Sequence, residues 1–598
     1  MAKKNVPIKY TSRDFASIKQ DLVNYAQRYY ADSFRDFNEA GFGALMLDTV
    51  SYVGDILSFY LDYQVNESFL DTAVEYENII RLAGQLGYQF QPNPTSYGFA
   101  SLFLLVPVAP SGQGPDTRYL PILRKGTSFS SINGGPFMLT ADVNFSSSRH
   151  ETIVARVDPS SGTPTYYAIK ATAQVMSGQL TQTTFEIGGH QRFLALSVPG
   201  ANIAEIAEIV DLEGHQYYEV DYLSQDVVYI EVPNRVNNID TVKSILKPLS
   251  VPRRFIARNT TDGMKIQFGH GSESQIKTNP IVDPATVVLQ QHARDYTTDE
   301  TFDPSRLNQT DKFGIVPANT TLYVTYRQNV ATNTNLGANG LNGVVNPIFA
   351  FDDEASLNNT TVREVIDSLE VSNQAPILGD VTFPTSTEIK KRAKDSFATQ
   401  NRAVTKQDYI STIYTMPEKF GAVKRANIVP DSDSFKRNLN LYVVSEGVDG
   451  TLTGTNLLIK QNLKTWIGKN KIIHDTIDIM DGKIINLGIN YTIVANPKSN
   501  KFDVLAAVAN TLAADTFAIY PDMGESFDIS KMYSAINSVA GVVDTVDVEV
   551  VLKTGGIYSD VYYDIPANIS PDGRLLQLPE DYIWEVKSPF TDIKGSVQ

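Results

Sequence analysis

Residues 36–88, DFNEAGFGALMLDTVSYVGDILSFYLDYQVNESFLDTAVEYENIIRLAGQLGY, decide how this chain is read. They predict two or three crowded helices with apolar or aromatic residues on almost every face. Val50, Val53, Ile56, Leu57, Tyr60, Leu61 and Val65 share one broad face, while Leu47, Tyr52, Phe59 and Tyr63 spread over the others. A helix of a globular domain buries one stripe, and one that is apolar nearly all round needs partners on several sides. Two readings follow: the block is enclosed within a large domain, or it is built to pack against another chain. The block also carries nine acidic residues and a single base, Arg81.

Upstream, Phe15, Ile18, Leu22, Tyr25 and Tyr29 step 3-4-3-4, the spacing of a coiled-coil seam, with Ser12 as the expected cap. Two heptads are short for an isolated coil, so the seam predicts one member of a bundle. These five residues, with Tyr52, Phe59 and Tyr63, form the first candidate assembly interface. Downstream, from residue 91, the period changes to two. Short strands are expected at 97–108, 122–129, 137–145, 151–157, 166–175 and 216–232, separated by Gly, Pro and Ser turns, which is the signature of sandwich or barrel-like modules. Residues 301–346 are Asn/Thr-rich and predict a long connection. From 385 onward helices and strands alternate: helices at 387–398, 406–416, 456–467, 502–517 and 529–539, strands at 422–429, 439–445, 472–480, 484–495 and 542–551. The expected layers are antiparallel sheets covered on one face by helices.

The expected architecture is therefore multidomain α+β. It comprises an N-terminal helical assembly segment (1–90), β-rich modules (91–300), a connection (301–384), an α+β domain (385–482), a second α+β unit (483–553) and a tail (554–598). At 598 residues the chain exceeds a single core. Its 42% hydrophobic and 20% charged content is that of globular protein. With no cysteine, disulfides, thiolate metal sites and cysteine nucleophiles are excluded. No apolar h-region follows the first residues, and no uninterrupted apolar run reaches about 18 residues, so neither a secretory signal nor membrane insertion is expected.

A net charge of −16 speaks against nucleic acid as a partner. Charge alternates in blocks: net +4 over 1–35, −8 over 36–88, +8 over 390–471 and −10 over 472–598. Such blocks suit docking between copies or domains, in which charge sets register; they equally suit the solvated surfaces of unlike domains. A second candidate contact is the helix at 529–539, with Met532, Ile536 and Val539 as an apolar centre; its other reading is a helix covering the final sheet. The six histidines are scattered, and no HExxH, GxSxG, GxxxxGK[ST] or EF-hand pattern occurs. No catalytic, cofactor-binding or metal residues are assigned, and Phe268-Gly-His-Gly271 is expected to be a tight turn whose glycines supply positive φ.

Four stations resemble the baseplate wedge proteins of contractile-tailed, T-even-type phages and the wider baseplate J-like family. They are the helical block 47–88 with its NESFLDTA turn and LAGQLGY end, LRKGTSFSSINGGPFMLTADVNF at 123–145, IQFGHGSESQ at 266–275, and AVTKQDYISTIY with FGAVKRANIV at 403–429, followed by INSVAGVVDTVDVEV at 536–550. In the third, His270 stands where the family has an acid and the final glycine is missing. The resemblance implies a non-enzymatic virion protein of the tail baseplate, assembled in the host cytoplasm. It implies that the subunit pairs with a second copy of itself and bundles its N-terminal helices with other wedge proteins. It further implies contact with sheath-initiator or hub-proximal proteins, linkage of wedges into a ring around the tail hub, and a share in the shape change on contraction. It implies no cofactor. The β-rich middle leaves a receptor-binding adhesin as the alternative, and a glycan-degrading tail enzyme as a third.

Overall fold

A computed structural model gives the fold and describes residues 13–30, 41–90, 94–147, 150–200, 202–233, 244–260, 263–272, 313–330, 333–431, 438–513 and 520–598. The chain divides into two units: residues 1–88 with 384–397, and residues 89–383 with 398–598.

The first unit is helical. Helix α1 (Phe15–Tyr29) starts at Asp14, whose carboxylate accepts the Ser17 N–H; the cap expected at Ser12 lies outside the described residues. Helix α2 (Phe42–Glu67) runs 26 residues, about 39 Å at 1.5 Å per residue. Helix α3 (Tyr76–Gln85) ends at Gly87, whose φ of +90° is the left-handed conformation that lets the Tyr88 N–H turn back to the Ala83 carbonyl. A fourth helix, Ser386–Thr399, joins this unit from more than 300 residues away. Lys390 donates to the carbonyls of Asp71 and Ala73, and Lys394 pairs with Asp71.

The second unit opens with two seven-stranded sheets. The first has the order Leu341–Asn346, Ser128–Ser131, Pro136–Leu139, Pro164–Ser177, Tyr97–Pro107, Glu370–Ser372, with Glu151–Val157 also paired to Pro164–Ser177. Leu102, Leu104, Phe129, Phe137, Ile169 and Val175 are among the residues of its core. The second sheet runs Gln179–Ile187, Thr320–Gln328, Ile203–Asp211, Gln216–Glu219, Arg254–Thr260, Gly263–Phe268, Ala195–Pro199. Thr320–Gln328 corrects the reading of 301–346 as a connection. Leu322, Val324 and Tyr326 alternate inward along it, a period of two that the surrounding Asn/Thr composition masks in a wide window. Leu341–Asn346 pairs in the first sheet, and residues 301–312 lie outside the described residues.

Arg327 ties the two sheets. It is fully buried on the second, where Nε donates to Glu205 (2.8 Å), and its other nitrogens reach the Ser177 carbonyl (2.6 Å) and Thr95 Oγ1 (2.8 Å) at the margin of the first. Phe268-Gly-His-Gly271 differs from the expected tight turn. A Cβ on Gly269 would lie 2.0 Å from the Phe313 carbonyl oxygen, so glycine is required by close backbone approach and not by positive φ. His270 fills the corner, stacked on Phe193 at 5.7 Å.

Two α+β layers follow. In the first, Arg425–Pro430, Asn438–Glu446, Leu452–Thr453 and Thr476–Asp481 form the sheet, with helices Lys406–Tyr414 and Leu457–Gly468. Thr405 and Asp408 make a capping box at the head of Lys406–Tyr414. Tyr409, Ile413, Leu441, Val443, Ile459 and Leu463 are buried together. In the second layer, Lys483–Ala495 pairs antiparallel with Val542–Lys553 and parallel with Tyr582–Glu585 and Ile593–Val597. The sheets are therefore mixed and not purely antiparallel: helix-bearing crossovers return strands in the same direction. Residues beyond 554, read above as a tail, supply two of these strands.

Two carboxylates, Glu446 buried and Asp380 half-buried, mark the ground between the first sheet and these layers. Asp380 Oδ2 accepts both the N–H (2.8 Å) and the hydroxyl (3.1 Å) of Thr334, and Glu446 accepts from Thr382 and from Lys424 Nζ at 2.9 Å. Burial, and after it the nearby Glu446 charge, push the Asp380 carboxyl up to about 6. Between pH about 4 and 6 the folded chain therefore holds this proton more tightly than the unfolded chain, so stability falls as pH rises through that window and is level above it. Asp380→Asn, which keeps an oxygen for Thr334, is expected to remove that fall. It should be more stable than the parent by about 1–3 kcal/mol at pH 8 and equal to it near pH 4, measured by urea unfolding at each pH.

Candidate functional site

α2 has the composition of a core helix and the exposure of a surface one. Only Ala44, Ser51 and Glu67 are buried along its 26 residues. Phe59 is 65% exposed, Leu61 67% and Tyr52 57%, and Phe42, Leu45, Met46, Val50, Val53, Leu57, Tyr60 and Val65 are exposed as well. By length and composition α2 is able to cross a membrane, which corrects the expectation that no segment qualifies. That expectation counted uninterrupted apolar runs, and α2 reaches its hydropathy with Gly, Ser and Asp interspersed.

The described side of α2 explains its three aspartates. Asp48, Asp55 and Asp62 recur every seven residues and so share one stripe. α1 lies along that stripe in the opposite direction: Arg13 pairs with Asp62 at 2.8 Å, Lys19 pairs with Asp48 at 2.7 Å, and Ile18 stands against Gly54. The basic first segment thus meets the acidic block within one chain. Of the seam residues, Phe15, Ile18 and Leu22 are half-buried, whereas Tyr25 and Tyr29 are exposed, their rings tilted against each other with centroids 4.8 Å apart.

The NESFLDTA turn fixes the corner between α2 and α3. Glu67, the last residue of α2, accepts the Val74 N–H (2.7 Å), the Glu75 N–H (3.3 Å) and Asn78 Nδ2 (3.0 Å). The Asn78 hydrogen bond and the backbone donors hold its carboxyl below the usual carboxylate range. Thr72 Oγ1 donates to the Asn66 carbonyl at 2.7 Å, and Ala73 is buried beneath. Tyr63 donates to Glu75 (2.7 Å), a hydrogen bond that pushes the phenol up to about 12, and its ring stacks with Phe59 at 6.3 Å. One side of the α2 surface is thereby held in place within the chain.

The second candidate contact is not at the surface. Met532 and Ile536 are buried in the core of the last layer, and Val539 packs against it. The helix Ile529–Asn537 covers the final sheet, so these three residues are already used. The sequence reading missed Phe42, Leu45, Met46, Phe69 and Val74 as exposed apolar positions. They lie at the ends of α2 or in the turn after it, where helical periodicity carries no signal. Among the described residues no three His, Asp or Glu side chains stand together as a metal site.

Comparison with known proteins agrees on this segment. Residues 14–85, the span from the cap of α1 to the end of α3, match the family described as bacteriophage baseplate protein, N-terminal domain. No curated protein matches the chain. Among solved structures, a chain of the anti-feeding prophage (AFP) baseplate, 6-fold symmetrised, matches at 10% identity over 94% of this chain and 90% of that one, with a TM-score of 0.24. A chain of the type VI secretion system TssK-TssF-TssG baseplate subcomplex matches at 9% identity over 72% and 95%, with a TM-score of 0.26. At such TM-scores the two structures carry no argument about fold. The family match stands apart from them: over residues 14–85 this chain is similar to the N-terminal domain of bacteriophage baseplate proteins.

Proposed function

We propose that this chain is a non-enzymatic structural subunit of a phage tail baseplate wedge, resident in the virion and assembled in the host cytoplasm. In this reading it pairs with a second copy, bundles its N-terminal helical segment with other wedge proteins, and helps link wedges into a ring around the tail hub that changes shape on contraction. The observation that carries the reading is α2: a 26-residue apolar helix with three buried residues, inside the segment that matches the baseplate family. Burial of each large side chain contributes about 1.5–3 kcal/mol. Six of the eleven exposed ones would contribute about 9–18 kcal/mol, the same scale as the roughly 4–15 kcal/mol cost of association. A single-chain monomer would leave all of that surface in water.

The test is to produce the full chain together with the other tail baseplate proteins of its particle and to examine the product by native mass and negative-stain imaging. Stable wedge complexes or rings containing the chain are expected. A monomer that joins nothing, or a trimer with distal knobs, would overturn the reading, the second in favour of an adhesin.

A further inference from the structure

α1 is lightly attached. None of its fifteen residues is buried, and among the described residues two ion pairs tie its segment to α2, Arg13–Asp62 exposed and Lys19–Asp48 half-buried, contacts that contribute little where water reaches them. A helix of this length is marginal without packing. Beneath it, α2 offers a seat of small residues, Ala44, Ser51 and Gly54, flanked by Asp48, Asp55 and Asp62. α1, with Arg13 just ahead of its cap, brings two cations to three acids. Arg13 and Lys19 serve Asp62 and Asp48, and among the described residues half-buried Asp55, in the middle, has no ion pair.

We propose that α1 is a detachable strap, and that during assembly it yields its seat on α2 to a basic helix of a partner protein. The inference rests on the baseplate reading and adds to it the partner's chemistry. The fitting occupant carries Lys or Arg at three positions seven residues apart, so that each aspartate is met, with bulky apolar residues between them to fill the small-residue groove. Charge selects this occupant over a lipid bilayer, which supplies no counter-charge along a stripe of three carboxylates. α1 is then the in-chain stand-in that keeps the stripe neutralised and covered until the partner arrives.

The chain contains no cysteine, so an engineered pair forms one defined crosslink. Ile18 Cγ2 lies 3.5 Å from the position of a Cβ on Gly54, within reach of a disulfide. Full-length chain bearing Ile18→Cys and Gly54→Cys is mixed, oxidised or reduced, with the other baseplate proteins of its particle, and incorporation is read by native mass. The oxidised form is expected to keep its circular dichroism spectrum and to lose incorporation at least tenfold, with recovery on reduction. Equal incorporation in both states would overturn the strap. A parallel variant, Asp55→Asn, is expected to leave the unfolding midpoint of the free chain unchanged and to weaken incorporation about tenfold; unchanged incorporation would also overturn it. If the parent chain itself never incorporates, the baseplate reading fails, and the strap fails with it.

Discussion

Phe59→Asp is expected to abolish incorporation of this chain into a baseplate while leaving the isolated protein folded. Phe59 is among the most exposed large apolar residues of α2, and in the free chain its ring meets those of Tyr60 and Tyr63. An aspartate there removes no core contact, so the unfolding midpoint of the isolated chain should stay within about 2 °C of the parent. In an assembled helical bundle the same position would place a carboxylate in an apolar interface. Truncating a central aromatic anchor alone costs about 2 kcal/mol or more, and a desolvated charge adds to that, so affinity should fall on the order of a hundredfold or further. Native mass of the co-produced complex and thermal unfolding of the free chain measure the two halves separately. A variant that unfolds alone would show that α2 is ordinary core; one that assembles normally would place the interface elsewhere. Ile79→Asp is the contrasting control, because Ile79 is fully buried and its replacement should unfold the helical unit with no partner present.

The largest effect on stability is expected at Arg327. Arg327→Met leaves Glu205 without its partner at 2.8 Å and removes donors from the Ser177 carbonyl and Thr95. Breaking a buried ion pair by deleting one member costs roughly 3–5 kcal/mol, because the groups left behind stay desolvated. The lower end is expected, since the Glu205 side chain is 25% exposed and water can reach it in part. Arg327→Lys should fare little better, as an ammonium lacks the planar fork that serves three acceptors in different directions. Urea unfolding followed by limited proteolysis is the appropriate readout, because a chain with several cores need not unfold in one step. Protection should be lost first in the segments that bracket Arg327 and Ser177. A loss below about 1 kcal/mol would show that the two sheets are held by their apolar contacts alone.

Much of the C-terminal half was legible in the sequence because its signals are local. The Thr405/Asp408 capping box, Asn456 at the head of Leu457–Gly468, and the two-residue alternation of Lys483–Ala495 each depend on residues within one turn or one strand. The helical N-terminal block was legible for the same reason, and so was its surplus of apolar faces, since period and composition reveal that a helix needs partners. Tertiary structure alone decided which apolar residues were already satisfied. Met532 and Phe59 look alike as members of amphipathic helices, yet one is buried under a sheet whose last strands arrive some fifty to sixty residues later and the other faces water. Pairing across long separations carries no local signature. The strand Thr320–Gln328 hidden in an Asn/Thr-rich region, the helix Ser386–Thr399 returning to the N-terminal unit, and Arg327 joining two sheets all belong to that class. The acidic repeat Asp48, Asp55, Asp62 was present in the sequence from the start, but it acquired a meaning only when the fold laid a basic helix along it.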